Sequence, residues 1–217
     1  GKATGVPWAK AAAKEMMGVS LAEQGIDGEV APSRIAVKES VFPFGKFPGV
    51  DVILGPEMRS PGEVMGSAPD FGVAFAKAQM GAGQTLPTEG KVFLSVRSDD
   101  KPGVLEVGRE LVEMGFEVCC TGGTHDFLAE HGIATTRLMK ISEGRPNAVD
   151  LIKNGELALV LNTPTRKGAG TDEGKLRATA VRFGVPMITT LTGASAAVRA
   201  IRALRAEAWR VWALQDA

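Results

Sequence analysis

From Lys91 onward, short apolar runs alternate with segments whose apolar residues recur every three or four positions. The run Lys91 to Arg97 (KVFLSVR) predicts a strand, Pro102 to Met114 a helix and Phe116 to Cys119 a second strand. Asp126 to His131 predicts a short helix closed by Gly132, followed by a strand over Thr136 to Met139 and a helix over Ala148 to Lys153. The Asn154-Gly155 turn leads into the most apolar strand, Leu157 to Leu161. Asp172 to Phe183 predicts a helix, Met187 to Thr189 a fifth strand, and Leu191, Ala194, Val198, Ile201 and Leu204 the buried stripe of a final helix. Five strands alternating with helices predict an α/β fold, a five-stranded parallel doubly wound sheet. Ligands are then expected at the C-terminal strand ends.

The first part of the chain is patterned more sparsely. Pro7 to Met17 and Ala74 to Met80 predict helices, and Arg34 to Phe44 predicts a strand entering a Gly- and Pro-rich stretch. The segment from Gly81 to Gly90 has no apolar period and is rich in Gly, Thr and Pro, which marks a linker. The expected organisation is a partial domain over 1–82, a linker over 83–90 and the regular α/β unit over 91–217.

Charge narrows the partners. The 25 basic and 25 acidic side chains cancel, so no broad electrostatic footprint for nucleic acid is expected. No apolar run approaches a membrane span and the first residues lack a signal-peptide core, so a cytoplasmic protein with no membrane partner is expected. Cys119 and Cys120 are adjacent, which suits neither a loop-spanning disulfide nor a zinc knuckle, and both are read as buried strand residues. His125 and His131 lack a metal-like constellation, so no metal site is expected.

Candidate chemistry concentrates in Cys120-Thr121-Gly122-Gly123-Thr124, between a strand and a helix. Glycines permit a tight turn, threonines supply hydroxyls, and a following helix directs free N–H groups and the positive end of its dipole at an anion. This reads as a phosphate-binding turn that needs no nucleophile.

Longer motifs carry a resemblance. KATGVPWAKAAAKEMMG, VKESVFPFGKFPGVD, LGPEMRSPGEVMG and FAKAQMGAG resemble the end of the second ATP-grasp half of the carbamoyl phosphate synthetase large subunit. LSVRSDDK, GFEVCCTGGTHDFL, EGRPNAVDLIKNGE and LVLNTP resemble that family's C-terminal regulatory domain, which has the methylglyoxal-synthase-like fold. The resemblance implies a parent ligase that makes carbamoyl phosphate from bicarbonate, glutamine-derived ammonia and two ATP, with Mg or Mn, for arginine and pyrimidine biosynthesis. It also implies partnership with the rest of the large subunit and a glutaminase small subunit, in an oligomer. By itself the chain is expected to carry no catalytic residue and no cofactor.

The resemblance further implies allosteric effectors. A nucleotide monophosphate, UMP or IMP, is expected among Lys101, Thr121, Gly122, Gly123, Thr124, Lys140 and Asn162. Two lysines at the same sheet edge as the threonine loop suit a dianionic phosphate. Pro164 replaces a further threonine of the family site, so a nucleobase or ribose contact is expected to be missing or supplied by Thr163 or Thr165. Ornithine is expected at Glu39, Phe42 and Thr189, with Met187 where some members have tyrosine. Two other readings belong to the same resemblance: an oligomerisation module whose effector site is silent, and a methylglyoxal synthase-type lyase. The lyase reading is opposed by Arg145 at the place of that enzyme's aspartate base and Ala169 at the place of its histidine, although Asp172 matches one of its acidic residues.

Overall fold

A computed structural model describes residues 1–41, 62–165, 170–206, 210, 211 and 213. In chain order the elements are α1 (Trp8–Met16), β1 (Ile35–Val41), β2 (Gly62–Ala68), α2 (Phe71–Gly81), β3 (Lys91–Ser95), α3 (Lys101–Glu113), β4 (Glu117–Thr121), α4 (Gly122–Glu130), β5 (Thr136–Leu138), α5 (Ala148–Lys153), β6 (Leu157–Asn162), α6 (Asp172–Phe183), β7 (Met187–Ile188) and α7 (Leu191–Ala206). The main sheet is parallel in the order β5-β4-β3-β6-β7, as the doubly wound pattern requires. The chain winds outward from β3 to β5, then crosses back to β6 and β7. The strand order therefore reverses between β3 and β6, where doubly wound folds open a crevice.

Alternation along the central strands builds two cores. Val92, Leu94, Val118, Cys120, Leu159 and Leu161 face one side, against Val104, Val107 and Leu111 of α3, Leu128 of α4 and Ala197, Val198 and Ile201 of α7. Phe93, Cys119, Leu138, Leu157 and Val160 face the other, against Leu151 and Ile152 of α5 and Leu176 and Ala180 of α6. The two cysteines thus lie on opposite faces of one strand, and both are free and buried. Burial pushes the Cys119 thiol up to about 11 and the Cys120 thiol up to about 12, so neither is a ready nucleophile.

The first part of the chain forms a smaller piece. β1 and β2 pair antiparallel, Ile35 opposite Ala68 and Val41 opposite Gly62, and α2 packs on them. Sequence pattern predicted no strand at β2, because Gly62, Gly66 and Ser67 dilute its apolar signal. Gly66 lets α2 come down directly on the strand: a Cβ there would overlap the carbonyl oxygen of Ala74. On its other side α2 packs on α7, and a Cβ at Gly72 would stand 2.7 Å from the Arg199 carbonyl oxygen. Ala76 of α2 and Leu86 of the expected linker both join the larger core, so segment 83–90 is fastened to the α/β unit. Among the described residues, no helix is long and apolar enough to cross a membrane.

Candidate functional site

A cleft of about 770 Å³ opens at the C-terminal ends of β3, β4 and β6. Its walls include Ser95, Lys101, Thr121, Gly123, Thr124, Lys140, Asn162, Thr163, Thr171 and Asp172. The strands place equivalent residues side by side. Ser95 ends β3, pairs with Asn162 at the end of β6, and its hydroxyl lies 2.8 Å from the Thr121 hydroxyl at the end of β4. Parallel register alone brings these three polar groups to one edge.

The expected loop is the first turn of a helix. α4 begins at Gly122, not at Asp126, with Thr121 as its N-cap in extended geometry and no side-chain cap bond. The reason is local: Gly122 and Gly123 have poor helical propensity, which hides a helix start, but packing of Leu128 in the core carries the turn. Gly122, Gly123 and Thr124 are therefore the first three helical residues, whose N–H groups have no partner within a helix. Those groups and the dipole face the cleft end, the arrangement that favours an anion.

Each remaining residue has a definite place. Lys101 opens α3 and holds its ammonium 3.8 Å from where a Gly123 Cβ would stand, over the Phe127 ring at 5.7 Å. Lys140 follows β5, and its ammonium contacts Glu143 at 3.0 Å. Thr124 is buried, and its hydroxyl accepts from Val96 N–H at 3.1 Å and lies 3.5 Å from the Val96 carbonyl. That hydroxyl ties the helix start to the chain after β3, which leaves the Thr124 backbone amide as its means of meeting a ligand. Gly122 lies beneath Arg137, whose guanidinium would be 2.9 Å from a Cβ there.

Asn162 is the most telling side chain. It is 4% exposed, its amide nitrogen donates to the Ser95 carbonyl at 3.1 Å, and its Oδ1 is buried with no hydrogen-bond partner among the described residues. The donated bond fixes the amide orientation, since a flip would set oxygen against oxygen. A buried acceptor left unpaired costs about 1–3 kcal/mol, so Asn162 calls for a donor in the cleft.

Ser95 carried no sequence expectation, although it holds the same post-apolar position on β3 that Thr121 holds on β4. Thr163 was expected as a stand-in for the threonine lost at Pro164, and Asp172 as a match to an acidic residue of the lyase, but their hydrogen-bond partners, distant in sequence, were not legible. The Thr163 hydroxyl accepts from Arg97 N–H at 3.0 Å, and the Asp172 carboxylate accepts from Ser142 N–H at 2.9 Å. Hydrogen bonding from Ser142 holds the Asp172 carboxyl below its ordinary value, which makes it a weak base. Arg145, at the position of the lyase aspartate, donates from Nε to Asp150 at 2.9 Å. Ala169 lies outside the described residues.

Glu39 and Thr189, expected for ornithine, do not line this cleft. Glu39 is half-buried in β1 and bonded to Gln79 of α2, and burial raises its carboxyl above the usual range. Thr189 follows β7 and is half-buried, and Phe42 lies outside the described residues. Among the described residues no group of side chains has the makings of a metal site.

Known proteins resemble this chain strongly. Residues 103–189 match the MGS-like domain family, a segment that holds the cleft residues from Thr121 to Asp172 but not Ser95, Val96, Arg97 or Lys101. The carbamoyl phosphate synthase large chain of Rhodopirellula baltica is 53% identical over 91% of this chain and 18% of its own length. Its counterpart in Pasteurella multocida is 54% identical over 90% of this chain, again 18% of that protein. That of Synechocystis is 48% identical over 99% of this chain and 20% of its own length. The chain thus spans about a fifth of the length of these relatives.

Proposed function

Residues 103–189 are an MGS-like domain in a chain related to part of the carbamoyl phosphate synthase large chain, and from that premise we propose a regulatory receptor for a nucleoside monophosphate. The phosphate binds at the N-terminus of α4, between Lys101 and Lys140, with the Thr121 hydroxyl as neighbour. Asn162 Oδ1 accepts from a ligand hydroxyl or amide, and this unpartnered buried acceptor is the observation that carries the reading. UMP and IMP both present a dianionic phosphate and several donors. Ornithine is a second effector in this proposal, with an amino group received by Glu39. The chain works as part of a cytoplasmic, glutamine-dependent ligase that consumes ATP with Mg or Mn and forms carbamoyl phosphate. Its partners are the remainder of the large subunit and a glutaminase small subunit. The sign and the size of regulation follow from how differently the effector binds the active and inactive arrangements of that enzyme.

Calorimetric titration of the chain with UMP, IMP and ornithine tests the proposal. Saturable nucleotide binding that Lys140→Ala weakens at least tenfold supports it, given charge-assisted hydrogen bonds of about 1.5–3 kcal/mol. A folded chain that binds neither nucleotide would reject the receptor and leave assembly of the enzyme as its role.

A further inference from the structure

Lys140, on the cleft wall, already has an anionic partner in Glu143. Lys140 and Glu143 close a compact ring: Lys140 Nζ stands 3.0 Å from Glu143 Oε1, and Lys140 N–H donates to Glu143 Oε2 at 3.1 Å. The Glu143 N–H in turn donates to the Lys140 carbonyl at 2.9 Å, which makes residues 140 to 143 a turn with the carboxylate folded back on its first residue. The turn is pinned from outside as well, since Ser142 N–H donates to Asp172 at the start of α6. Glu143 therefore holds its carboxylate by a backbone bond as well as by the lysine side chain. Lys101 differs, with its ammonium over the Phe127 ring beside Gly123. The two lysines of the cleft are thus unequal: among the described residues Lys101 is in no ion pair, while Lys140 is paired with Glu143 and also feels the Asp172 carboxylate on the cleft wall.

We infer that Glu143 is an internal competitor for Lys140 that holds down the affinity of the cleft for phosphate. The inference rests on the receptor reading and adds a residue that tunes it. An arriving phosphate shares the Lys140 ammonium with Glu143 and also feels the repulsion of the carboxylate. That repulsion grows with ligand charge: a dianion meets twice the force a monoanion meets at the same distance, and a neutral ligand meets none. Lowered affinity keeps the receptor unsaturated until effector accumulates, which suits a sensor of a metabolite present at high concentration. The ion pair is solvent-exposed on both sides, so the effect is modest. Hydrogen bonds from the Lys140 backbone and side chain hold the Glu143 carboxyl below its ordinary value, consistent with a permanently charged competitor near neutral pH.

The test is Glu143→Gln, which keeps the shape and the backbone bond but removes the charge. Binding of uridine, the methyl ester of UMP and UMP itself is measured by calorimetry on wild type, Glu143→Gln and Lys140→Ala. The expected result is a gain of roughly two- to fivefold for UMP in Glu143→Gln, a smaller gain for the monoanionic ester and no change for uridine. Glu143→Gln in the Lys140→Ala background should regain only the part due to direct repulsion. An equal change for all three ligands indicates a merely structural role and overturns the inference. UMP binding that Lys140→Ala weakens while Glu143→Gln leaves it unchanged overturns this inference alone and leaves the receptor standing. Absence of UMP binding in all the proteins overturns both.

Discussion

Residues 91–206 and residues 1–82 are built to different standards. In the first, both faces of the sheet are covered, and Leu94, Leu111, Leu128, Leu159, Leu161 and Ile201 are all but removed from water. In the second, α1 buries only Ala11, while Trp8, Met16, Met17, Val19, Leu21 and Ile35 are exposed. β1 and β2 form a two-stranded sheet, and such a ribbon is marginal unless something packs on it. Here α2 does so, and α2 in turn rests on α7. The difference teaches that, among the described residues, the smaller piece draws its order from the larger one through α2, which packs on β1 and β2 and on α7. Its exposed apolar side chains have the character of an interface surface rather than of a finished domain.

The comparison can be broken most severely from the larger side. Leu161→Ala empties a site between β6 and the α3/α7 layer and should cost about 2–5 kcal/mol. If the smaller piece depends on the larger, amide exchange should rise in β1, β2 and α2 together with the sheet. Exchange that leaves the hairpin untouched would show two independent units.

The reverse experiment is gentler. Gly66→Ala forces β2 from the α2 backbone and should cost about 1–3 kcal/mol. Hairpin amides should lose protection while those of β3, β4 and β6 keep theirs. Loss of protection throughout would make the chain one cooperative unit.

Two carboxylates sharpen the contrast through pH. Glu39, in the smaller piece, is raised by burial, so the folded state holds its proton more tightly than the unfolded state. Its contribution to stability grows as pH falls through the folded value. Asp172, in the larger piece, is lowered by its bonds from Ser142, so its contribution is present above the unfolded value and lost as pH falls through the folded one. Thermal melts should therefore show Glu39→Gln stabilised at neutral pH and indistinguishable from wild type in acid. Asp172→Asn should be destabilised at neutral pH and converge on wild type in acid. Opposite signs for the two variants at neutral pH are the check, and like signs would refute the assignment.

The smallest effect is expected at the exposed surface. Met16→Ser with Met17→Ser should change folding stability by no more than about 0.5 kcal/mol, because neither side chain is buried. The double variant should still reduce self-association of the isolated chain in sedimentation, if the face is an interface.

Most of the larger fold was legible in the sequence because its strands are buried on both faces and read as unbroken apolar runs. Val92 to Leu94 and Leu157 to Leu161 needed no partner to be recognised. β2 was hidden because Gly62, Gly66 and Ser67 serve contact with a helix and not burial of bulk. The start of α4 was hidden for a related reason. Gly122 and Gly123 speak against a helix locally, and only the core position of Leu128 overrides them.

By itself the sequence determined the alternation of strand and helix, the parallel sheet that follows from it, and a glycine–threonine turn fit for an anion. Those are matters of local periodicity and residue chemistry, which neighbours along the chain suffice to express. Tertiary structure decided how the site is wired. It committed the Thr124 hydroxyl to Val96, left Asn162 Oδ1 without a donor among the described residues and left the cysteines on opposite faces. It also packed α2 both on the β1/β2 hairpin and on α7. Such outcomes depend on contacts between residues far apart in the chain, and hydrogen-bond satisfaction and packing are settled only when all the elements have met.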